Sequence, residues 1–517
     1  MGKSRKNSIF RTDRKIRLGL WGLGRGMSFY KSCRALGIDV VAGCDYNEHM
    51  RKRFTDANPG AMATADAKEF LAADFDAVLL ATFCPAHADD AIACLKAGKH
   101  VLSEVTAFHT MAEGVRLVEA VEKSGLVYNL AENYPFSAAN MYLAAKWREG
   151  LFGEFMYAEY EYVHECRRLV YTYIDGVPVR PGNTVHNWRS WLSFHYYNTH
   201  SLGPVMHITG LRPTSVVSLP GSVKLAGYPV KDPVLGMGGV SPSLLTFENG
   251  GLMRNLMGST TGGSHGGRIY GTLGSAEAWA GSDLHVRLGG SGNSPRMKIE
   301  PKWEDFSELA ASTGHGGGDF WVLYYFARQI LEGTSGPFDV YGASDCTIPG
   351  LLAYRSSVEG GRKFDVPDFR KKSERDRWRR DDFAQPRYDT RKGCFPAEAD
   401  ERLTGRFTTV MTELIRHATA YRAYADWRKL AGSLAEPERL IELADAAVEE
   451  HPERLKTYRE ARRLADEYPR SDAARVLGEM LEVGDEEAVT RRGALAKLKR
   501  ERATLKRKLG RAKRRRN

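Results

Sequence analysis

The run Ile16-Arg17-Leu18-Gly19-Leu20-Trp21-Gly22-Leu23-Gly24-Arg25-Gly26 decides how the rest of the chain is read. It begins as an apolar strand, stops in glycines and passes at once into a helical segment, after which a second apolar strand ends at Asp45. A strand that turns directly into a helix leaves backbone N–H groups and the positive helix end where a pyrophosphate can sit. Gly22 allows the tight turn and Gly24 the close approach of backbone to phosphate, with Leu23, Arg25 and Gly26 completing the turn. Asp45 lies about 20 residues on, where the fingerprint places an acid that accepts hydrogen bonds from a ribose. An acid there favours NAD over NADP, because a 2′-phosphate would meet a like charge. The pattern departs from G-x-G-x-x-G at its third position. Met27 stands there and the extra glycine, Gly26, comes one residue early, so the helix is expected to pack on the strand differently.

Downstream, strand and helix signals keep alternating. A helix from about Glu48, a buried parallel strand Ala77 to Thr82, a helix around Asp89 to Ala97, a strand His100 to Glu104, a helix Met111 to Lys123 and a strand Leu126 to Leu130 predict a doubly wound sheet over residues 15–135. Beyond Trp147 the pattern changes to strands separated by glycine-rich turns: Phe155 to Cys166, Ser215 to Leu219, Ser243 to Glu248, Leu252 to Met257 and Arg268 to Leu273. These, with helices at Asp319 to Glu332 and Ala343 to Ser357, predict an α+β domain with an open-faced, mostly antiparallel sheet over residues 136–370. The charge-dense segment 371–402 reads as a linker, 403–490 as a helical extension without a full repeat consensus, and 491–517 as a basic helical tail. Residues 1–14 read as a disordered lead-in.

At 517 residues the chain is long enough for two or three domains. No apolar run reaches the length of a membrane span, and the basic N-terminus lacks the apolar core of a signal peptide. Seven cysteines, scattered, odd in number and without a C-x-x-C pair, fit a reducing cytoplasm and suggest no metal site. The net charge of +11 is local: residues 491–517 hold 14 Lys/Arg against Glu501, so the remainder sums to −2. Leu495, Leu498, Leu505 and Leu509 recur at roughly heptad spacing in that tail, which reads as a solvated helix, an oligomerisation coil or an anchor for an anionic partner. Nothing aromatic interleaves the arginines, so specific nucleic-acid recognition is not expected.

The combination resembles the Gfo/Idh/MocA oxidoreductases, on Gly22-Leu23-Gly24, Thr82-Phe83-Cys84-Pro85-Ala86-His87, Lys99-His100-Val101-Leu102-Ser103-Glu104 and Gly314-His315-Gly316-Gly317-Gly318-Asp319. The resemblance covers Lys15 to about Arg370. Dehydrogenases of that superfamily carry Glu-Lys-Pro where this chain has Glu104-Val105-Thr106, and valine cannot transfer the substrate's hydroxyl proton. A branch without this lysine is more similar, the NAD-dependent α-N-acetylgalactosaminidase-type glycoside hydrolases, on Ala131-Glu132-Asn133, Tyr162-Val163-His164-Glu165 along the first strand of the second domain, and Thr199-His200-Ser201-Leu202-Gly203-Pro204. The resemblance implies NAD held by the glycine turn with Asp45, Thr82, His87, Glu104, Val105 and Asn133. It implies His200 and Tyr162 as the proton-handling pair, with His164, Tyr197, His315 and Asp319 shaping the sugar pocket. His200 is expected in a turn-rich stretch, and the aromatic run Tyr171 to Trp191 suits stacking on sugar faces or packing. The expected reaction is glycoside cleavage by transient ring oxidation, elimination, water addition and re-reduction. A net sugar or cyclitol dehydrogenase is the alternative, and a nucleotide-binding scaffold the third reading. The superfamily's open sheet implies a homo-oligomer.

Overall fold

The computed structural model describes residues 9–171, 188–230, 238–301, 305–388 and 394–516. The N-terminal sheet has six parallel strands in the order β3-β2-β1-β4-β5-β6: β1 Arg17–Trp21, β2 Asp39–Cys44, β3 Met62–Thr64, β4 Ala77–Leu80, β5 His100–Ser103 and β6 Tyr128–Leu130. β4 is buried at every position, as a strand covered by helices on both faces must be. The order reverses between β1 and β4, and the crevice beyond their carboxyl ends is where such folds bind ligands. The Met27 departure has a visible effect. The helix Leu23–Gly26 gives way to a 3₁₀ turn, Met27–Phe29, before helix resumes at Tyr30–Ala35. The early Gly26 faces the Leu20 and Leu79 side chains, where a Cβ would make ordinary van der Waals contact at 3.6 and 3.8 Å.

The second sheet has nine strands in the order β14-β13-β12-β11-β7-β10-β9-β8-β15. They are β7 Phe155–Val163, β8 Pro213–Ser218, β9 Val240–Phe247, β10 Leu252–Gly258, β11 Ser264–Gly271, β12 Gly274–Trp279, β13 Leu284–Leu288, β14 Met297–Ile299 and β15 Phe364–Asp365. Only the β7–β10 pairing is parallel. One face, with Ala158, Tyr160, Met253, Asn255, Leu245 and Ile269, is buried, and the helix Thr199–Thr209 packs on it. The other carries Glu159, Glu161, Arg254 and Arg268 in an ion-pair network beside exposed Met156, Leu244, Leu252 and Tyr270. β12, β13 and β14 carry no strand prediction from sequence; they are short and polar, and hairpin pairing rather than a hydrophobic pattern makes them strands.

Three boundaries differ from expectation. The lead-in is seated from residue 9 onward: Phe10 is buried with its ring stacked on Tyr324 at 5.9 Å, and Arg11 N–H donates to Glu332; residues 1–8 lie outside the described residues. The segment read as a linker is pinned along its first half. Arg375 clasps Glu122, Arg379 clasps Glu119, and Arg355 reaches Asp381, all charge-assisted pairs. The chain divides into one compact unit of residues 1–165, 192–224 and 232–387 and a second of 166–191, 225–231 and 388–517. The helical extension therefore recruits two excursions from the sheet region that sequence reading left with the sheet. Within the second unit the helices Glu401–Lys429, Pro437–Glu449, His451–Glu467 and Asp472–Val483 bury Tyr424, Tyr458 and Leu477, while Tyr171 donates to the Gly227 carbonyl. Most of the aromatic run Tyr171 to Trp191 lies outside the described residues; its two ends are buried.

Candidate functional site

The glycine turn is built as a cofactor cradle. Gly22 holds φ +92, and a Cβ there would collide with the Ala81 carbonyl, so only glycine closes this turn. Asp45 receives the Leu23 N–H at 2.8 Å and the Asn47 N–H at 2.8 Å, which fixes its carboxylate beside the turn. Burial raises its pKa, and those two hydrogen bonds oppose the rise. Across the turn Arg25 donates to Glu104 at 2.7 Å and makes a two-pronged pair with Asp319 at 2.8 and 3.0 Å. Burial works against the Arg25 charge, but Glu104 and Asp319 hold it in the ionised form.

Asp319 begins the helix Gly318–Glu332 and is 0% exposed, taking hydrogen bonds from Arg25, from Asn133 Nδ2 at 3.0 Å and from the His315 ring at 2.9 Å. Burial alone would raise its pKa; His315 and Arg25 pull it well below the usual carboxylate range. This corrects its assignment to the sugar pocket, since a carboxylate with no exposed surface and three internal donors acts through the groups it holds. His315 keeps half its side chain exposed. His87 is also corrected. It is buried with Nδ1 2.9 Å from the Thr106 carbonyl, and because burial pushes its pKa down the neutral ring's single N–H is given to that carbonyl, which ties His87 to the frame. Thr82 spends its hydroxyl proton on Asp90 at 2.6 Å. Val105 is buried and brings no ionisable group.

A second cluster gathers on the inner face of the nine-stranded sheet. β11 runs antiparallel to β7 in a register that sets His265 opposite Tyr162, and their rings lie parallel at 4.9 Å. His164 continues the row, parallel to both, from just past the end of β7, which closes at Val163 and not beyond as the sequence suggested. His200 sits in the first turn of the helix Thr199–Thr209 rather than in a turn-rich stretch; Pro204, the sixth residue of that helix, has no N–H to return to the His200 carbonyl. A buried polar network anchors that turn: Ser201 donates to Asn255, and Asn255 donates to Asn198 and to Ser243. His200 Nδ1 lies 2.9 Å from both carboxylate oxygens of Glu132, which is 0% exposed. Its ring is 4.6 Å from Tyr134, 4.7 Å from Tyr162 and 5.1 Å from Tyr197, centroid to centroid. A buried acid on Nδ1 selects the tautomer that leaves Nε2 as the proton-accepting edge. His265 is pushed down to about 4 by burial, with His164 and His200 adding to the shift, so it is neutral at pH 7.

The two clusters meet in one tripeptide at the carboxyl end of β6. Glu132 orients His200, Asn133 is held by Asp319, and Tyr134 lies against His200, Tyr162 and His265. Asn133 Oδ1 is buried without a partner among the described residues, an acceptor available to a bound amide. The Gly22 cradle, Asp45 beside it and this orphan acceptor fit NAD. Tyr134 and His265 carry no role in the sequence reading, and Glu132 enters it only within the motif Ala131-Glu132-Asn133. Glu132 and Tyr134 stand where a Rossmann strand ends, which is a signal that could have flagged them; His265 is brought in by strand register alone.

Comparison with known proteins fits this arrangement. Residues 16–132 match the family described as oxidoreductase family, NAD-binding Rossmann fold. Solved structures share the fold: levoglucosan dehydrogenase in complex with NADH, 19% identical with TM-score 0.56 over 69% of this chain and 100% of that one, and an inositol dehydrogenase homolog from Azotobacter vinelandii complexed with NADH and myo-inositol, 20% identical with TM-score 0.55 over 69% and 100%. The chain thus carries an NAD-binding Rossmann domain of the oxidoreductase type and is an NAD-dependent enzyme. Residues 298–378 match the C-terminal domain of glycosyl hydrolase 109. Curated relatives agree: an alpha-N-acetylgalactosaminidase of Tannerella forsythia, 28% identical over 422 residues (71% of this chain, 89% of the relative), and a glycosyl hydrolase family 109 protein of Parabacteroides distasonis, 27% identical over 419 residues with the same coverage. Within that superfamily the chain is thus similar to glycosyl hydrolase family 109 proteins.

Proposed function

We propose that this enzyme cleaves a glycoside without net oxidation, using His200 and Tyr162 to move protons. Bound NAD supplies reversible hydride uptake at a ring carbon, which acidifies the neighbouring C–H. The chain's own part is proton handling. His200, oriented through Nδ1 by buried Glu132, offers Nε2 to a substrate proton, and Tyr162 beside it serves as the second acid/base. Tyr134 and Tyr197 wall the site, and His164, Tyr197 and His315 are the proposed contacts to sugar hydroxyls. Gly22, Leu23, Gly24, Arg25, Gly26, Asp45, Thr82, Glu104, Val105 and Asn133 line the proposed cofactor side.

The observation that carries the reading is the Glu132–His200 pair against Tyr162, in a site where position 105 is a buried valine. Such a site can take a carbon-bound proton but lacks the lysine that ordinarily relays a hydroxyl proton in net dehydrogenation. An aryl α-N-acetylgalactosaminide is the first substrate to try. Turnover in D₂O is expected to place deuterium on the sugar carbon next to the transient ketone with no growth of NADH absorbance; steady NADH accumulation would select the dehydrogenase, and neither signal the nucleotide-binding scaffold. Among the described residues no helix is long and apolar enough to cross a membrane. The seven cysteines are free and buried, which supports the cytoplasm as the proposed location. The exposed sheet face with Met156, Leu244, Leu252 and Tyr270 supports a homo-oligomer.

A further inference from the structure

The catalytic reading leaves the C-terminal helix unused. It runs Ala494–Arg516, 23 residues, or about 34 Å at 1.5 Å per residue. Its inner side is spent within its own unit. Ala494 and Leu498 are buried, and the helix packs on Pro437–Glu449. Glu501, the one acid of residues 491–517, is held by Arg428 at 2.5 Å and by the Tyr424 hydroxyl at 2.9 Å. Arg502 and Lys506 both turn to Asp445. The anion budget of the helix is therefore exhausted inward. Arg492, Lys497, Lys499, Arg500 and Arg507 remain exposed, with no acidic partner among the described residues. Six further cations, Lys508, Arg511, Lys513, Arg514, Arg515 and Arg516, follow in the sequence.

We infer that this helix binds the phosphate backbone of a nucleic-acid duplex, independently of base sequence. Nine of the fourteen cations in residues 491–517 are arginine, whose planar fork matches phosphate oxygens two at a time. A duplex presents about one charge per 1.7 Å of axis, so a helix about 34 Å long spans roughly 20 phosphates. An anionic membrane fits less well. A helix lying in the interface needs a broad apolar face to insert, and here Ala494 and Leu498 are buried in the protein, Leu495 and Leu505 are half-buried among cations, and the segment has no aromatic residue. With no side chain to stack on bases, the binding reads charge spacing only.

The test uses the full chain and a quadruple variant, Arg492→Gln, Lys499→Gln, Arg500→Gln and Arg507→Gln, none of which touches the cofactor or sugar clusters. Binding to fluorescein-labelled 20-base-pair DNA and RNA duplexes of unrelated sequence is followed by anisotropy between 50 and 200 mM salt. Wild type is expected to bind the unrelated sequences alike and to lose affinity steeply with salt. At unchanged NAD content, the variant is expected to bind at least tenfold more weakly at 50 mM, with a log K against log salt slope shallower by about 3 to 4. Three results overturn the inference: no duplex binding at 50 mM salt, equal binding by the variant, or binding to phosphatidylserine vesicles but not to either duplex.

Discussion

At the scale of single residues, the site depends on two carboxylates that never reach solvent. Glu132 fixes the tautomer and angle of His200, and Asp319 fixes Arg25 and Asn133. Glu132→Gln keeps the shape but loses the anion that stabilises the protonated ring. Steady-state assays on this variant should show kcat falling by about 10² to 10⁴-fold, the range for losing general acid/base help, with NAD content unchanged. Gly22→Ala acts on the cofactor instead. Its backbone stays in a region that alanine resists, and its Cβ collides with Ala81 O. The variant should purify without NAD and lose on the order of 1–3 kcal/mol of stability, read by melting with and without added NAD.

At the scale of elements, the helix Thr199–Thr209 and the 3₁₀ turn Phe194–Tyr197 before it deliver the site's ring cluster, and one buried histidine ties their acid stability to pH. His195 has its Nε2 3.1 Å from Ser218 Oγ, whose own proton goes to the Pro242 carbonyl at 2.6 Å, so His195 donates and is neutral. Burial pushes its pKa down to about 3. The unfolded chain therefore binds a proton that the folded one refuses. Stability from this residue is complete above about pH 6.5 and drains away as pH falls toward 3, by on the order of 5 kcal/mol in all. His195→Asn should flatten the melting temperature between pH 6.5 and 4 relative to wild type, whatever it costs at pH 8; an unchanged acid slope would mean that other buried groups set it.

For the whole molecule, the nine-stranded sheet uses one face for the site and leaves the other exposed, where apolar side chains alternate with a self-satisfied network of Glu159, Glu161, Arg254 and Arg268. A face that is apolar and ion-paired within itself can be covered by a second copy without stranding a charge. Leu244→Glu combined with Leu252→Glu puts unpaired acids on that face, and light scattering should show the proposed homo-oligomer reduced to monomer with NAD still bound.

The sequence by itself determined the doubly wound N-terminal domain, its dinucleotide turn and the existence of a second sheet, because each is written in local patterns a few residues long: apolar runs, glycines at a strand end, an acid at a set spacing. It also brought out His200 and Tyr162 as candidates and located the charge in the tail. Only the tertiary structure decided that Glu132 clasps a histidine 68 positions away, that Arg25 meets an aspartate 294 positions away, and that His265 lies against Tyr162. Those meetings depend on strand register and helix docking, which are fixed by contacts between distant segments. For the same reason His87 and Asp319, apt as ligands by type and motif, are drawn inward to hold the frame.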